Sequence, residues 1–516
     1  MPVHEHGSRP YEWVGAWSER RASLTPNKIG LVDATTDTEL TYAELDERAT
    51  RTATLLTESG VSEGERVAVI SRNRPATVDL FNATGKTGGI LAPLSHRLTP
   101  RELVPMLNDV DPRLLVVEEE FADLAVDLLE HEDAAFDPIT YSLKTAGSTT
   151  FDRFSRAVPD SAGELANPDL AMDDPHLLLH TGGTTGIPKE TVVTHGSIYW
   201  NSFNTITAWG LRDTDVTPMV YPTFHTGGWN VLTVPLFHMG GTVVITRAFD
   251  AGQVLSIIED RGATIFVGAP AMLRMMAQHD AWAESDLSTL RFVKSGGGPC
   301  REPVMEAWWD RGVDLSQGYG LTECGPNNFE MPADWPREKA ESVGVPVMHL
   351  DIRIVDDGEE VDRGEVGELE LASPHAADRY WANAEETEET FGGAWVSTGD
   401  LARRDEAGYV YIVGRKKNMY VSGGENVYPP EVENVISGHT DVAEVVIIPI
   451  PDDRWGQVGK AVVEGDPDLT LEELHDFLEG RLATFKWPRE LAFIDEMPMS
   501  GPSKIDREAV AEAYGE

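Results

Sequence analysis

The chain has 516 residues, 41% of them apolar, more than a single hydrophobic core usually organises, so at least two domains are expected. Its 87 Asp and Glu against 42 Lys and Arg leave a net charge of −45, a field that repels nucleic acid and anionic membrane surfaces and argues against both as partners. Two cysteines, Cys300 and Cys324, cannot staple a chain of this length and lack zinc-site spacing, the N-terminus has no basic start or apolar core, and no apolar run approaches the ~18 residues of a membrane span. A protein of the reducing cytoplasm is expected.

From about residue 40 to 300, short β-branched runs alternate with segments of helical period: RVAVI at 66, RLLVVE at 113, HLLLHT at 176, GTVVIT at 241, ATIFVGAP at 263 and LRFVKSGG at 290. This alternation predicts parallel sheets covered by helices, an α/β fold whose ligands sit in loops at the C-terminal ends of strands. From about 345 the texture becomes antiparallel, with HLDIRIVD, GELELAS, AWVSTGD and GYVYIVGR joined by turn residues, which predicts a small β-rich subdomain. After GRKKN the pattern is a helix at YPPEVENVI, strands at AEVVIIPI and KAVVEG, an amphipathic helix at LEELHDFLEGRL and a last strand at ELAFIDE. The expected division is a large domain over 1–415 and a small α+β domain over 416–516.

The strand-end rule picks out two glycine-rich loops. In the first, Thr181, Gly182, Gly183, Thr184, Thr185, Gly186 and Lys189 combine free backbone N–H groups, hydroxyl donors and a positive charge, a set suited to an anion such as a phosphate chain. It is not the common P-loop, because Ile187 and Pro188 displace the lysine and no Ser or Thr follows it. Only eleven lysines occur, so one in such a loop carries weight. The second loop is Gly296, Gly297 and Gly298, after the strand RFVK.

Further along, Gln317, Gly318, Tyr319, Gly320, Thr322 and Glu323 place an aromatic, a hydroxyl and a carboxylate between glycines: a stacking surface for a base and oxygens for a hard cation such as magnesium. Asp400, in STGD, offers two oxygens to vicinal hydroxyls, and His225, in YPTFHTGGW, stands between an aromatic and a flexible turn. Each of these alone has a plain structural reading as a turn or a packed residue.

In combination the residues resemble the adenylate-forming superfamily of acyl-CoA synthetases, peptide-synthetase adenylation domains and luciferases. The resemblance runs in family order from LTYAELDERA at 40 and GKTGGILAPLSHRLTPREL at 85, through TGGTTGIPK, YPTFHTGGW, SGGGP, QGYGLTE, GEVGELEL and STGD, to GRKKNMYVSGGENVYPPEVE and MPMSGPSKID. It implies two half-reactions: a carboxylate attacks the α-phosphorus of ATP to give acyl-AMP and pyrophosphate, and a thiol then displaces AMP. The family pattern assigns the 181–189 loop to the β- and γ-phosphates, Thr184 and Glu323 to magnesium, Tyr319 to adenine, the Gly296–Gly298 turn to the adenine and acyl sites, and Asp400 and Arg415 to the ribose. Lys504 matches the catalytic lysine that bridges the carboxylate and α-phosphate. Lys417 falls at the hinge on which the small domain rotates, and Gly423, Gly424 and Glu425 form the loop brought to the incoming thiol. The chain departs from the pattern at Glu190 and Ser503, both usually glycine, and at Asn418, usually aspartate.

The loop SGGENVYPPEVE is closest to the form in coenzyme A ligases, and no thiolation domain follows Glu516, so coenzyme A is the expected thiol. Thr226 and Gly227, with Gly228, are small enough to open an alkyl channel, and Trp229 is either a gate to it or a packed core residue. A medium- or long-chain fatty acid is favoured, with an aromatic acid second; an enzyme loading a carrier protein and a non-catalytic nucleotide binder are the rivals. The partners expected are the acid, ATP and CoA, with a homodimer left open. The dispersed acidic excess and the preference for arginine resemble cytoplasmic proteins of salt-loving organisms, against the plainer reading of an ordinary acidic enzyme.

Overall fold

The computed structural model describes residues 15, 17–144, 147, 149–163, 165, 169–181, 189–422, 425–452, 454–499 and 505–515. Gly182, Gly183, Thr184, Thr185 and Gly186, the pair Gly423 and Gly424, and Ser503 and Lys504 lie outside them.

The β-branched runs form the interior of an eight-stranded sheet. Its order is Arg379–Tyr380, Lys189–Thr194, Pro175–Thr181, Ile90–Leu94, Arg66–Ile70, Leu114–Glu118, Ile139–Leu143 and Asp152–Arg153, and the last six strands are parallel. Ile90–Leu94 and Leu114–Glu118 are buried at every position, as strands covered on both faces must be. A four-stranded sheet runs Val216–Met219, Thr242–Ile245, Ile29–Asp33 and Thr38–Thr41, and a three-stranded parallel sheet holds Ile265–Gly268, Phe292–Ser295 and Leu315–Gln317. The Thr264 N–H donates to Val216 O and joins these two. Much of LTYAELDERA becomes the helix Tyr42–Glu58, opened by a reciprocal Thr41–Glu44 cap, and the Tyr42 hydroxyl donates to Gly241 O at 2.6 Å.

One element was not anticipated. The glycine-rich loop leads into Lys189–Thr194, which returns antiparallel beside Pro175–Thr181 and pairs in turn with Arg379–Tyr380. The strands on either side of residues 182–188 are thus antiparallel neighbours, and Lys189–Thr194 is held on its other side by a segment nearly two hundred residues on.

The β-rich region is a five-stranded antiparallel sheet in the order Glu359–Glu360, Asp351–Asp356, Val366–Ala372, Val396–Arg404 and Val410–Arg415. From Tyr420 the chain builds its own core around Val432, Ile447, Val463 and Leu474. Glu425–Val427, Tyr420–Ser422, Gly456–Gly465 and Val442–Asp452 form its sheet, and Glu490–Phe493 adds to Gly456–Gly465 in parallel. Helix Pro429–Ile436 has both prolines in its first turn, where a missing N–H costs nothing. Helix Leu471–Leu478 stops short of the expected Leu482, because Glu479 turns extended and Gly480 is left-handed at φ +75°. Among the described residues no helix is long and apolar enough to cross a membrane.

Candidate active site

Antiparallel register brings the first site residues together. Asp400 lies directly across from Arg415, so STGD and GR meet although fifteen residues separate them. Gly399 turns left-handed at φ +68° just before the carboxylate. Arg415 Nε lies 2.7 Å from Asp400 Oδ1, and its guanidinium also donates to Thr398 O at 3.1 Å. From the turn that follows the strand Leu315–Gln317, the Tyr319 hydroxyl donates to Asp400 Oδ2 at 2.5 Å. Burial, with the Asp400 charge, pushes the phenol well above its usual range, so it stays a donor. Tyr319, Asp400 and Arg415, assigned by resemblance to one nucleoside, thus form one constellation.

The two glycine turns adjoin. The Gly296 N–H donates to Gly268 O at 3.1 Å and the Gly318 N–H to Ser295 O at 2.7 Å. Gly297 has φ +89°, and a Cβ on Gly320 would come within 2.2 Å of Pro326 O, so neither position takes a side chain. Gln317 is buried, with its amide spent inside the protein: Oε1 accepts from Cys300 N–H and Nε2 donates to Ala340 O. It shapes the turn.

Glu323 is held through its main-chain carbonyl by Ala377 N–H and through Oε1 by the Tyr380 hydroxyl at 2.9 Å. Thr322 sits half-buried in the same turn. Lys189 lies 5.1 Å from the centre of the Tyr380 ring and is paired with Glu386. Thr181 lies across from Lys189 in the antiparallel register. Sequence reasoning missed Tyr380 and Glu386, since no local spacing announces them.

In the acyl candidate region His225 is partly covered, and burial, assisted by Arg97, pushes its imidazole down to about 4, leaving it neutral near pH 7. The Thr226 hydroxyl accepts from Asn230 Nδ2 at 3.1 Å, and Gly227 opens the wide helical turn Gly227–Val231. Trp229 is fully buried, its ring 4.7 Å from Phe81 and nearly parallel to it, its indole N–H donating to Thr223 O. The side chain is therefore packed in the core. Asn73, also missed, donates to Tyr221 O and accepts from Thr223 N–H; it follows the strand Arg66–Ile70, where the strand-end rule could have found it.

In the small domain Lys417 pairs with Glu508 at 3.2 Å, and Glu425 is exposed at the start of its strand.

Two family models match the chain: AMP-binding enzyme over residues 18–381 and AMP-binding enzyme C-terminal domain over 431–504. A feruloyl-CoA synthase from Amycolatopsis sp is 36% identical over 97% of this chain and 99% of its own. A long-chain-fatty-acid–CoA ligase from Mycobacterium tuberculosis is 31% identical over 97% and 98%. The solved structure of the anthranilate CoA ligase AuaEII with anthranoyl-AMP superposes with a TM-score of 0.89 at 27% identity, covering 97% of this chain and 96% of that one. The chain belongs to the AMP-binding enzyme family, the adenylate-forming enzymes. Within it, the protein is an acyl-CoA synthetase of the AMP-forming kind.

Proposed function

We propose that the enzyme converts a compact aromatic carboxylic acid to its CoA thioester. The observation that carries this reading is that Trp229, in the 227–231 turn, is packed into the core and opens no channel past the turn. Trp229 is buried and stacked on Phe81, and the void among Met219, Tyr221, Gly227 and Leu232 is about 10 Å³, while a cavity of about 340 Å³ is lined by Asn73, His96, Val220, Pro222 and Met272. A flat ring needs width beside His225 and the Gly296–Gly298 turn, whereas a long alkyl chain needs depth. The feruloyl and anthranilate relatives agree with this choice. A fatty acid, favoured in the sequence by Thr226 and Gly227, becomes the second reading, and the mycobacterial relative supports it.

In the first half-reaction a carboxylate oxygen of the acid attacks the α-phosphorus of ATP, and the bond to the β-phosphate oxygen breaks as pyrophosphate leaves. Two anions must meet, so positive charge has to stand between and behind them. Lys504 takes the first place, bridging carboxylate and α-phosphate, and Lys189 the second, on the departing phosphates. Tyr319 faces the adenine, and Asp400, oriented by Tyr319 and Arg415, accepts from the ribose hydroxyls. Glu323 suits magnesium, because Tyr380 engages only Oε1 and Oε2 has no partner among the described residues. With Thr184 it would hold the ion, which neutralises charge on the phosphates when bound. Neutral His225 orients the acyl group by hydrogen bonding. In the second half-reaction the small domain turns near Lys417, withdraws Lys504 and presents the Gly423–Glu425 loop; the CoA thiolate then attacks the acyl carbon and AMP leaves.

The test is a panel of acids, aromatic and C2 to C18, assayed for acyl-CoA formation with ATP, magnesium and CoA. Aromatic acids should exceed C12 to C18 acids by about tenfold or more in kcat/KM, the discrimination a mismatched pocket delivers. A maximum at C12 to C18 would reverse the assignment, and acyl transfer to a carrier protein but not to CoA would favour the carrier-loading rival.

A further inference from the structure

We infer that Glu386 is an internal counter-anion of the phosphate site: it holds Lys189 when no phosphate is bound and competes with ATP and pyrophosphate for it. The inference rests on the reading of Lys189 as the clamp on the departing phosphates.

Lys189 and Glu386 are joined directly, and their side chains are only 12% and 24% exposed, so the pair is shielded from solvent. Lys189 has no second carboxylate partner among the described residues; its other neighbour is the face of Tyr380. An incoming phosphate must therefore displace Glu386 or share the ammonium with it.

The helix Ala384–Phe391 holds Glu386 in place. The Tyr380 N–H donates to Thr387 Oγ1 at 3.0 Å, and Thr387 donates back to Asn383 O at 2.6 Å, so the helix start is tied to the residue whose ring carries Lys189. Tyr380 pairs across to Thr191 in the strand that begins with Lys189. The carboxylate and the ammonium thus meet through fixed backbone, not through two free side chains.

The same helix provides for release. Glu386 lies in its first turn, and its own N–H donates to the Asn383 cap at 3.2 Å. A carboxylate there is stabilised by the unpaired N–H groups and dipole of the helix start. When a phosphate takes Lys189, Glu386 keeps a favourable electrostatic setting and need not swing away. When pyrophosphate leaves, it recaptures the lysine and helps clear the site.

Titration calorimetry of the full-length protein with magnesium pyrophosphate, for wild type, Glu386→Gln, Lys189→Gln and the double variant, tests this. Glu386→Gln should tighten pyrophosphate binding by about fivefold, the scale of a partly shielded ion pair, and strengthen product inhibition by pyrophosphate in steady state. Lys189→Gln should weaken binding, and in its background the Glu386 change should have no further effect. Unchanged or weaker binding in Glu386→Gln, with Lys189→Gln still impaired, overturns the counter-anion alone. Normal binding in Lys189→Gln overturns the clamp and the inference with it.

Discussion

Glu190, a departure from the family's usual glycine, follows Lys189 at the exit of a loop assigned to phosphates, where a carboxylate either turns to solvent or brings a costly charge. The structure turns it inward. It is 4% exposed, its two oxygens have no hydrogen-bond partner among the described residues, and it lies across from His180. Burial, reinforced by the Asp109 carboxylate, pushes its pKa up to about 8, so at pH 7 it is a neutral acid and places no charge beside the loop. The sign of the linked stability follows: the folded pKa lies above the unfolded one, so the stabilisation is complete below about 4.5 and is lost as pH rises through about 8. Glu190→Gln, which cannot ionise, should gain on wild type between pH 5 and 8, with a slope of at most about 1.4 kcal/mol per pH unit. Denaturant unfolding at intervals of one pH unit measures it; a difference independent of pH would mean that the carboxyl titrates normally. The sequence flagged the residue but not its direction, because its neighbours Asp109 and Trp381 come from a helix and a segment far along the chain.

Elements differ in how much of the site they betray. The meeting of Asp400 with Arg415 was legible, since both lie on antiparallel strands joined by one turn and the family pattern names both. The pairing of Lys189–Thr194 with Arg379–Tyr380 was not, because it joins distant segments and the returning strand hides within the glycine-rich motif. That pairing begins a wider tie. Buried His375 accepts from Asn204 Nδ2 at 2.9 Å and donates to Asn328 Oδ1 at 2.8 Å, and Asn328 Nδ2 donates to Gly325 O at 2.8 Å. The chain 375–380 therefore braces the loop of Glu323 from its main chain as well as through Tyr380. His375→Ala should cost roughly 2 kcal/mol by leaving buried amides unpaired, and should lower kcat more than it raises KM for the acid. His375→Gln, able to restore one bond, should recover part of both. Thermal unfolding with steady-state kinetics distinguishes this from a packing defect, which would lower stability alone.

At the scale of the molecule the charge of −45 is displayed at the surface, as in the exposed edge strand Glu359–Glu360, where two glutamates also discourage edge-to-edge pairing. Several polar contacts join the large and small domains: Arg301 and Arg274 both meet Glu444, Arg274 also donates to Ala443 O, and Asn434 donates to Glu341. Polar contacts of this kind exchange readily for contacts with water, in keeping with the domain movement proposed above. Salt screens self-repulsion within a Debye length of about 10 Å at 0.1 M and about 3 Å at 1 M. If the composition marks a salt-adapted protein, its melting temperature should rise steadily from 0.1 to 2 M KCl; a fall over that range would contradict the adaptation.

Whether one site joins an acid to AMP and then releases it to a thiol is decided by quenching a single turnover without CoA and weighing the products by mass spectrometry. Enzyme-bound acyl-AMP and pyrophosphate should form in equal amounts, and, when CoA is added, the acyl-AMP should convert to acyl-CoA and AMP. An acyl phosphate with ADP, or acyl-CoA formed with no adenylate accumulating or trappable before CoA is added, would contradict this two-step course.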